Sequence, residues 1–345
     1  MLFMVITMST IYVREQGATI RRKGERLLIS KQGQMLDEIP LANVSQVVLM
    51  GNIQMTAQAA ATLLDREVDV VFLSSYGKFR GRLMTAGSKH VRLRQLQLRQ
   101  MSEESQALPL AKAIVEGKIY NQYALLQGQS ERTHTPFLFQ KEKKDILQMH
   151  QAVSQVSSLE VLRGYEGKAA ASYFGAIRTL LHPDWKFERR EYHPPPDPFN
   201  ALISFLYSLV LKDVLMAVNL VGFDPYLGFF HEVDFGRPSL ALDLMEEWRP
   251  IIADSLALQF IYHNQLKPAS FQWTGRPQRP VELGAAGQKL VLQAYGQFLQ
   301  TKLYHPQAGS GGETAIAQAI ILQSRHLARV IGGIDGVYHA VKLKN

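Results

Sequence analysis

No cysteine occurs anywhere in this 345-residue chain. Disulfides are therefore excluded, and so is every metal site that depends on thiolate, which leaves His, Asp and Glu as the available metal ligands. A reducing, cytoplasmic compartment fits that composition. Apolar runs that approach a membrane span are missing too, and the opening MLFMVIT has neither the basic flank nor the length of a signal peptide. The sequence thus predicts a cytoplasmic protein with no membrane partner, and Met8 stands beside Met1 as a candidate start. Acidic residues are in deficit: 30 Asp and Glu against 38 Lys and Arg leave a net charge of +8, which favours a polyanionic partner such as nucleic acid. Internal repeats are absent. What the chain does have is apolar content, 46% by residue type, enough at this length to fill the cores of two domains.

From Thr10 to about Leu83 the chain reads as short β segments separated by turns: TIYV, ATIRR, a turn at Lys23-Gly24, RLLIS, a turn at Gln32-Gly33, and VSQVVLM ending at Gly51-Asn52. One helical stretch, AQAAATLLDRE, precedes the apolar strand VDVVFL, a turn at Tyr76-Gly77 and a strand through Arg80 and Arg82. Beyond about residue 105 the period lengthens to that of amphipathic helices: Leu108 to Leu126, Asp145 to Val153, Leu159 to Leu181, Asn200 to Val218, Leu240 to Phe260, Gln288 to Lys302 and Thr314 to Ile331. Ahead of Asn200, three prolines stop the preceding segment, Asp197 suits the N-cap and Pro198 suits the first helical position. The prediction is an α+β protein: a small N-terminal β-sheet domain over residues 1–88, a basic linker over 89–106, and a larger all-helical C-terminal domain over 107–345. The glycines from Gly309 to Gly312 read as a loop, and the tail after Gly336 carries no recognisable pattern.

Several polar residues stand out against this background. On the helix from Leu159, the positions Leu159, Leu162, Glu166, Ala169, Ala170, Tyr173 and Ile177 share one face, so Glu166 sits in an apolar stripe. A carboxylate taken from water needs a cation. An ion pair with Arg163 or Arg178 and a bound metal both satisfy that need, and spacing does not choose between them. Further on, His231 follows the apolar run LGFF, a Gly236-Arg237-Pro238 turn intervenes, and Asp243 and Glu246 lie three apart on the next helix, on one face. An imidazole with carboxylates is a hard to borderline donor set suited to Mn2+ or Mg2+. Between Lys78 and Arg99 the chain carries Lys78, Arg80, Arg82, Lys89, Arg92, Arg94 and Arg99, and no acid intervenes before Glu103. That run predicts a phosphate-facing surface, with binding governed by DNA backbone and shape because no base-reading motif is present.

Segment by segment the chain resembles the CRISPR-associated protein one family, the adaptation integrases, along nearly its whole length. TIYVREQGATIRRKGERLLIS, EIPLANVSQVVLMGNIQMT and VVFLSSYGKFRGRL are similar to that family's β-domain segments, in the same order. GYEGKAAASYF, DPFNALISFLYSLV and LGFFHEVDFGRPSLALDLMEEWRPIIAD are similar to its central helical motifs, and QSRHLARVI to its last helix. The resemblance implies one divalent cation, Mn2+ or Mg2+, held by Glu166, His231 and Glu246, where many members have Asp in place of Glu246. It places Asp243 at a neighbouring acidic position, here counted with the catalytic set. Lys168 and Arg237, next to these motifs, are candidates for contact with the substrate strand or scissile phosphate, alongside Arg80, Arg82, Lys89, Arg92 and Arg94 for DNA; a plain surface or helix-end charge is the competing reading for each.

The implied activity is phosphodiester transesterification and hydrolysis, inserting new spacers at a CRISPR repeat. The implied partners are double-stranded DNA (captured duplex and repeat), a second copy of the chain as a homodimer, and the small ferredoxin-like second adaptation protein. Two other readings stand beside it: a metal-dependent nuclease of branched DNA in repair, and a non-catalytic basic DNA-binding protein whose Glu166 and His231 serve only the core.

Overall fold

The structure is a computed structural model and describes residues 4–7, 10–44, 46–75, 77, 79–83, 90–135, 137–192, 194–308 and 312–343. Met8, Tyr76, Lys78, Lys89 and the glycines from Gly309 to Gly311 lie outside the described residues. By its internal contacts the chain divides into two compact units, residues 1–87 with 283–297, and residues 88–282 with 298–345.

The first unit holds two sheets. Strands β1 (Met4–Thr7), β2 (Thr10–Val13), β6 (Gln46–Met50), β8 (Asp69–Leu73) and β9 (Phe79–Leu83) form a five-stranded sheet in the order β1-β2-β6-β8-β9. Its three central strands run parallel, and each edge strand is antiparallel to its neighbour. The sequence QVVLM of β6 is buried throughout, as a parallel strand covered on both faces requires. Strands β3 (Thr19–Lys23), β4 (Arg26–Lys31), β5 (Gln34–Pro40) and β7 (Gln54–Met55) form the second sheet, ordered β5-β4-β3-β7. Both sheets feed one core, with Ile11, Val13, Val47, Leu49 and Val70 from the first and Ile20, Leu27 and Ile29 from the second. Helix α1 (Ala57–Asp65) closes it with Leu63, and starts where Thr56 Oγ1 accepts from Ala59 N at 3.3 Å.

The second unit is mostly helical: α2 (Val91–Ser102), α3 (Glu104–Arg132), α4 (Gln140–Val153), α5 (Leu159–Leu180), α6 (Pro198–Val221), α7 (Ser239–Trp248), α8 (Ser255–Tyr262) and α10 (Ile316–Ile331), with α9 (Ala285–Phe298) falling almost wholly in the first unit. There are two short two-stranded ribbons: β10-β11 (Phe271–Arg276 and Arg279–Leu283) fills the stretch between the expected helices, and β12-β13 (Lys302–Tyr304 and Glu313–Ala315) replaces the helix ends expected near Lys302 and Thr314. Residues 91–102, expected to belong to a linker, form α2 instead. On its inner face the buried Gln97 donates from Nε2 to the carbonyls of Asp224 (2.7 Å) and Leu227 (2.9 Å).

Helix α3 packs on α4, α5 and α7, and α6 packs on α7 and α10. The start of α6 is as expected: Pro198 occupies the first turn, and Asp197 Oδ1 accepts from Asn200 N at 2.8 Å. Contrary to the expectation that no apolar run approaches a membrane span, α6 is long and apolar enough to cross a bilayer, with a mean hydropathy of 1.9 over its most apolar window. That window is 78% buried by neighbouring helices, so its apolarity serves the core. The stretch expected as one helix from Leu240 to Phe260 is broken by a π-helical turn at Arg249–Asp254. Pro250 offers no N–H to the α-helical ladder, and Ser255 Oγ donates to Pro250 O at 2.9 Å, five residues back, across the widened turn.

Candidate active site

Three helices and one loop of the second unit bring the anomalous residues together. Helix α5, capped by Ser158 Oγ accepting from Val161 N at 3.3 Å, presents Glu166 from the face that also buries Leu162, Ala169 and Tyr173. Helix α7 supplies Glu246, whose side chain is 2% exposed. The cation between them is Lys118 of α3, whose Nζ contacts Glu166 Oε1 and Glu246 Oε2 together. Neither arginine expected as the partner of Glu166 fills that role: Arg163 donates to the Phe230 carbonyl at 2.8 Å, and Arg178 lies 3.4 Å from Glu188. A second cation, Arg249 in the π turn, lies 3.2 Å from Glu246 Oε1, with its guanidinium 4.7 Å from the Tyr207 ring centroid.

These charges decide the ionisation of the site. Burial alone would raise the Glu246 carboxyl, but Arg249, then Lys118 and His231, outweigh it and hold the pKa down to about 2. Burial also opposes the Lys118 ammonium, yet Glu166 and Glu246 prevail and keep its pKa above the ordinary lysine value. Glu246 stays ionised because the fold has built cations against it.

His231 approaches from the loop between α6 and α7. Its ring lies with Nε2 3.6 Å from Glu246 Oε1, and Nδ1 is 2.7 Å from Asp243 Oδ1. Asp243 is fully buried and accepts from the backbone N–H groups of Phe229 (2.6 Å), Phe230 (3.0 Å) and His231 (2.8 Å) as well. Both Asp243 oxygens are engaged by these contacts. Accepting a hydrogen bond from Nδ1–H, Asp243 favours the tautomer whose Nε2 is turned toward Glu246. Gly228 permits this close approach, since a β-carbon there would meet Asp243 Oδ2 at 2.7 Å.

The donor set tests well for a divalent cation. Two carboxylates and an imidazole nitrogen match a hard or borderline ion, and the pair Glu166 and Glu246 already embraces a cation, the Lys118 ammonium. Among the described residues, no three His, Asp or Glu side chains stand together as a ready-made metal cage. The arrangement is one in which an ammonium holds the carboxylates that a metal would share.

The DNA-contact candidates separate into two kinds. Arg80 and Arg92 are exposed, as is Lys168, while Arg237 is half-buried at the loop before α7. Arg82 instead pairs with the buried Asp69 at 2.6 Å, and Arg94 Nε donates to the Gly222 carbonyl at 3.1 Å, so both are tied to internal partners. Lys89 lies outside the described residues.

Lys118 and Arg249 were not singled out from sequence. Lys118 carries the same signal that marked Glu166: Ala111, Ile114, Lys118, Asn121 and Leu125 follow three-and-four spacing and are all buried. The C-terminal segment also proves to be built in. Val341 N donates to Glu247 Oε2 (2.6 Å), Tyr338 Oη to Glu247 Oε1 (2.7 Å) and Asn121 Nδ2 to the Val341 carbonyl (2.9 Å). Burial pushes the Glu247 carboxyl up to about 8 against the pull of these donors. A methyl at Gly117 would lie 2.2 Å from Ala340 Cβ, so the segment seats directly on α3 beside Lys118.

Comparison with known proteins places this geometry in context. The family model described as CRISPR associated protein Cas1 matches residues 11–297. A relative from Moorella thermoacetica, named CRISPR-associated endonuclease Cas1 1, is 32% identical over 336 residues, covering 96% of this chain and 97% of its own length. Among solved structures, a casposase bound to integration product aligns with a TM-score of 0.83 at 23% identity, over 96% of this chain and 93% of that one. A Cas6-RT-Cas1–Cas2 complex aligns with a TM-score of 0.82 at 21% identity, over 98% of this chain and 36% of the larger one.

Proposed function

This chain belongs to the CRISPR-associated Cas1 family, the endonucleases and integrases of CRISPR adaptation, and we propose that its phosphodiester chemistry runs at Glu166, His231 and Glu246. The observation that carries the assignment is the convergence of Glu166 from α5, Glu246 from α7 and His231 from the loop before α7 on one cation-balanced cluster. Bound by these residues, a divalent ion, Mg2+ or Mn2+, supplies Lewis acidity toward a phosphate oxygen and activates a hydroxyl nucleophile.

The chain's own groups do the rest. Asp243 holds His231 in the tautomer that keeps Nε2 free. Arg249 keeps Glu246 ionised and brings positive charge to a place where the transition state accumulates negative charge. In strand transfer a 3′-hydroxyl oxygen bonds to phosphorus as the bond to the outgoing 3′-oxygen breaks; one phosphodiester replaces another and no co-reactant is consumed. With water in place of the hydroxyl the same centre hydrolyses DNA. The substrate is double-stranded DNA, both the captured duplex and the repeat; exposed cations such as Arg80, Arg92, Arg99 and Lys168 are suited to its backbone. The working assembly pairs a homodimer with Cas2 in the cytoplasm, without a membrane partner.

The test is strand cleavage and joining with Mn2+ or Mg2+ by purified Glu166→Ala and His231→Ala variants. Both are expected to lose activity by about a hundredfold or more while the variants stay folded and DNA affinity stays near wild type. Substantial residual turnover removes that residue from the site, and full turnover after exhaustive chelation removes the metal.

A further inference from the structure

Lys118 is 6% exposed, and its four-carbon stem runs through the packed stripe of α3 to put one ammonium against carboxylates from two other helices. Around Glu166 and Glu246 the cations are Lys118 and Arg249, so the two negative charges are already balanced before any metal arrives. A divalent ion bonded to the same carboxylate oxygens at roughly 2.0–2.2 Å leaves no room, and no uncompensated charge, for an ammonium on those atoms. The lysine stem is flexible and its charge compact, so withdrawal needs only rotation about side-chain bonds. Arg249 contacts the other Glu246 oxygen and is held over Tyr207, and is therefore the less mobile of the two.

From this we propose that Lys118 is a built-in place-holder cation: it keeps Glu166 and Glu246 assembled when no metal is bound, competes with the metal for the same oxygens, and so sets the affinity with which the site accepts a divalent ion. The inference rests on the assignment of Glu166 and Glu246 as metal ligands. An ordinary structural ion pair makes the opposite prediction, because its loss disorders the ligands and weakens metal binding. In the place-holder scheme, loss of the ammonium leaves Glu166 without its cation and Glu246 with Arg249 alone, which costs stability without metal and is recovered when metal binds.

The experiment is Mn2+ titration by calorimetry, together with melting temperature with and without Mn2+, on wild type, Lys118→Met, Lys118→Gln and Glu166→Ala. Methionine keeps an unbranched stem without the charge; glutamine also removes the charge but keeps amide donors, and answers the question should the methionine variant fail to fold. If the ammonium-held state dominates the metal-free protein, both lysine variants bind Mn2+ roughly tenfold or more tightly than wild type. They also melt lower without metal and gain more from Mn2+. Equal or weaker Mn2+ binding by the lysine variants, with wild-type binding abolished in Glu166→Ala, overturns the place-holder while leaving the metal site standing. Mn2+ binding that is indifferent to Glu166 overturns the metal site itself, and the place-holder with it.

Discussion

Asp243 accepts four hydrogen bonds from three consecutive residues, Phe229 to His231, and this makes it the residue at which positioning and ligation can be separated. In Asp243→Asn the amide nitrogen is a donor. Turned toward His231 it demands the Nδ1 lone pair, which moves the ring proton to Nε2 and removes the metal-facing electron pair; turned the other way it opposes the backbone N–H groups. The expected result is a loss of Mn2+ affinity and activity of about 10–100-fold, with a stability loss of roughly 1–3 kcal/mol from the mismatched donors. Calorimetry and denaturant unfolding measure the two separately, and unchanged metal affinity in a destabilised variant reduces Asp243 to a packing role. At this scale the sequence was legible wherever a charge fell on an apolar stripe, as with Glu166, and wherever i,i+3 spacing aligned acids, as with Asp243 and Glu246. For the cation beside Glu166 it offered Arg163 and Arg178, neighbours on the same helix, and neither is the partner. Lys118 lies 48 residues away in the chain, and only tertiary packing brings its ammonium to that carboxylate.

Strand β9 and helix α2 divide the basic run into surface and structural arginines. Replacing the exposed Arg80 and Arg92 removes phosphate contacts, so the logarithmic salt slope of DNA binding is expected to flatten by about two with stability unchanged; an unaltered slope in a filter-binding or anisotropy titration excludes these two from the interface. Arg82→Ala leaves the buried Asp69 without its ion-pair partner and is expected to destabilise toward the lower end of roughly 3–5 kcal/mol, because Gln46 Nε2 still donates to Asp69 at 3.0 Å. Unfolding in urea reads that loss directly. The π turn gives a pH dependence. Burial pushes Asp254 from 3.8 up to about 6, while the Tyr173 and Tyr207 hydroxyls pull the other way. The folded state therefore binds this proton more tightly than the unfolded chain. The stabilisation is full below 3.8, declines as pH rises and is gone above about 6. Asp254→Asn cannot titrate, so the stability of wild type relative to the variant is expected to fall by on the order of 3 kcal/mol across that window and stay level above it. Unfolding free energies at a series of pH values check this; a flat difference shows that the carboxyl is not the titrating group. Most helices were legible from apolar period and capping residues, α6 most clearly through Asp197 and Pro198. The π turn was not, because Pro250 marks a break without saying whether the helix stops or widens, and α2 was hidden by the arginines that line it.

Across the whole molecule, the order of a β-rich region followed by helices was visible in the change of hydrophobic period, whereas the return of α9 to the first unit and the docking of Tyr338 to Leu343 on α3 were not. Both depend on contacts between segments far apart in sequence, and neither leaves a local pattern. The reaction is also a property of the whole molecule, because under the proposed assignment cutting and joining share one ligand set and differ only in the oxygen that attacks. A sugar 3′-hydroxyl held beside the target phosphate has the advantage of proximity over water, so an integrase makes the terminal hydroxyl of one duplex the nucleophile on another. Two such ends attacking opposite strands at the two borders of a repeat insert the duplex between them. The decisive comparison supplies this protein, Cas2, Mn2+ and a leader-repeat plasmid with short duplexes bearing either free or dideoxy-terminated 3′ ends. Joining is expected to vanish with blocked ends while slow hydrolytic nicking persists, since water still reaches the same centre. Equal joining by blocked duplexes rules out the 3′-hydroxyl as nucleophile, and efficient cutting without joining on every repeat tested identifies a nuclease that the integrase reading does not describe.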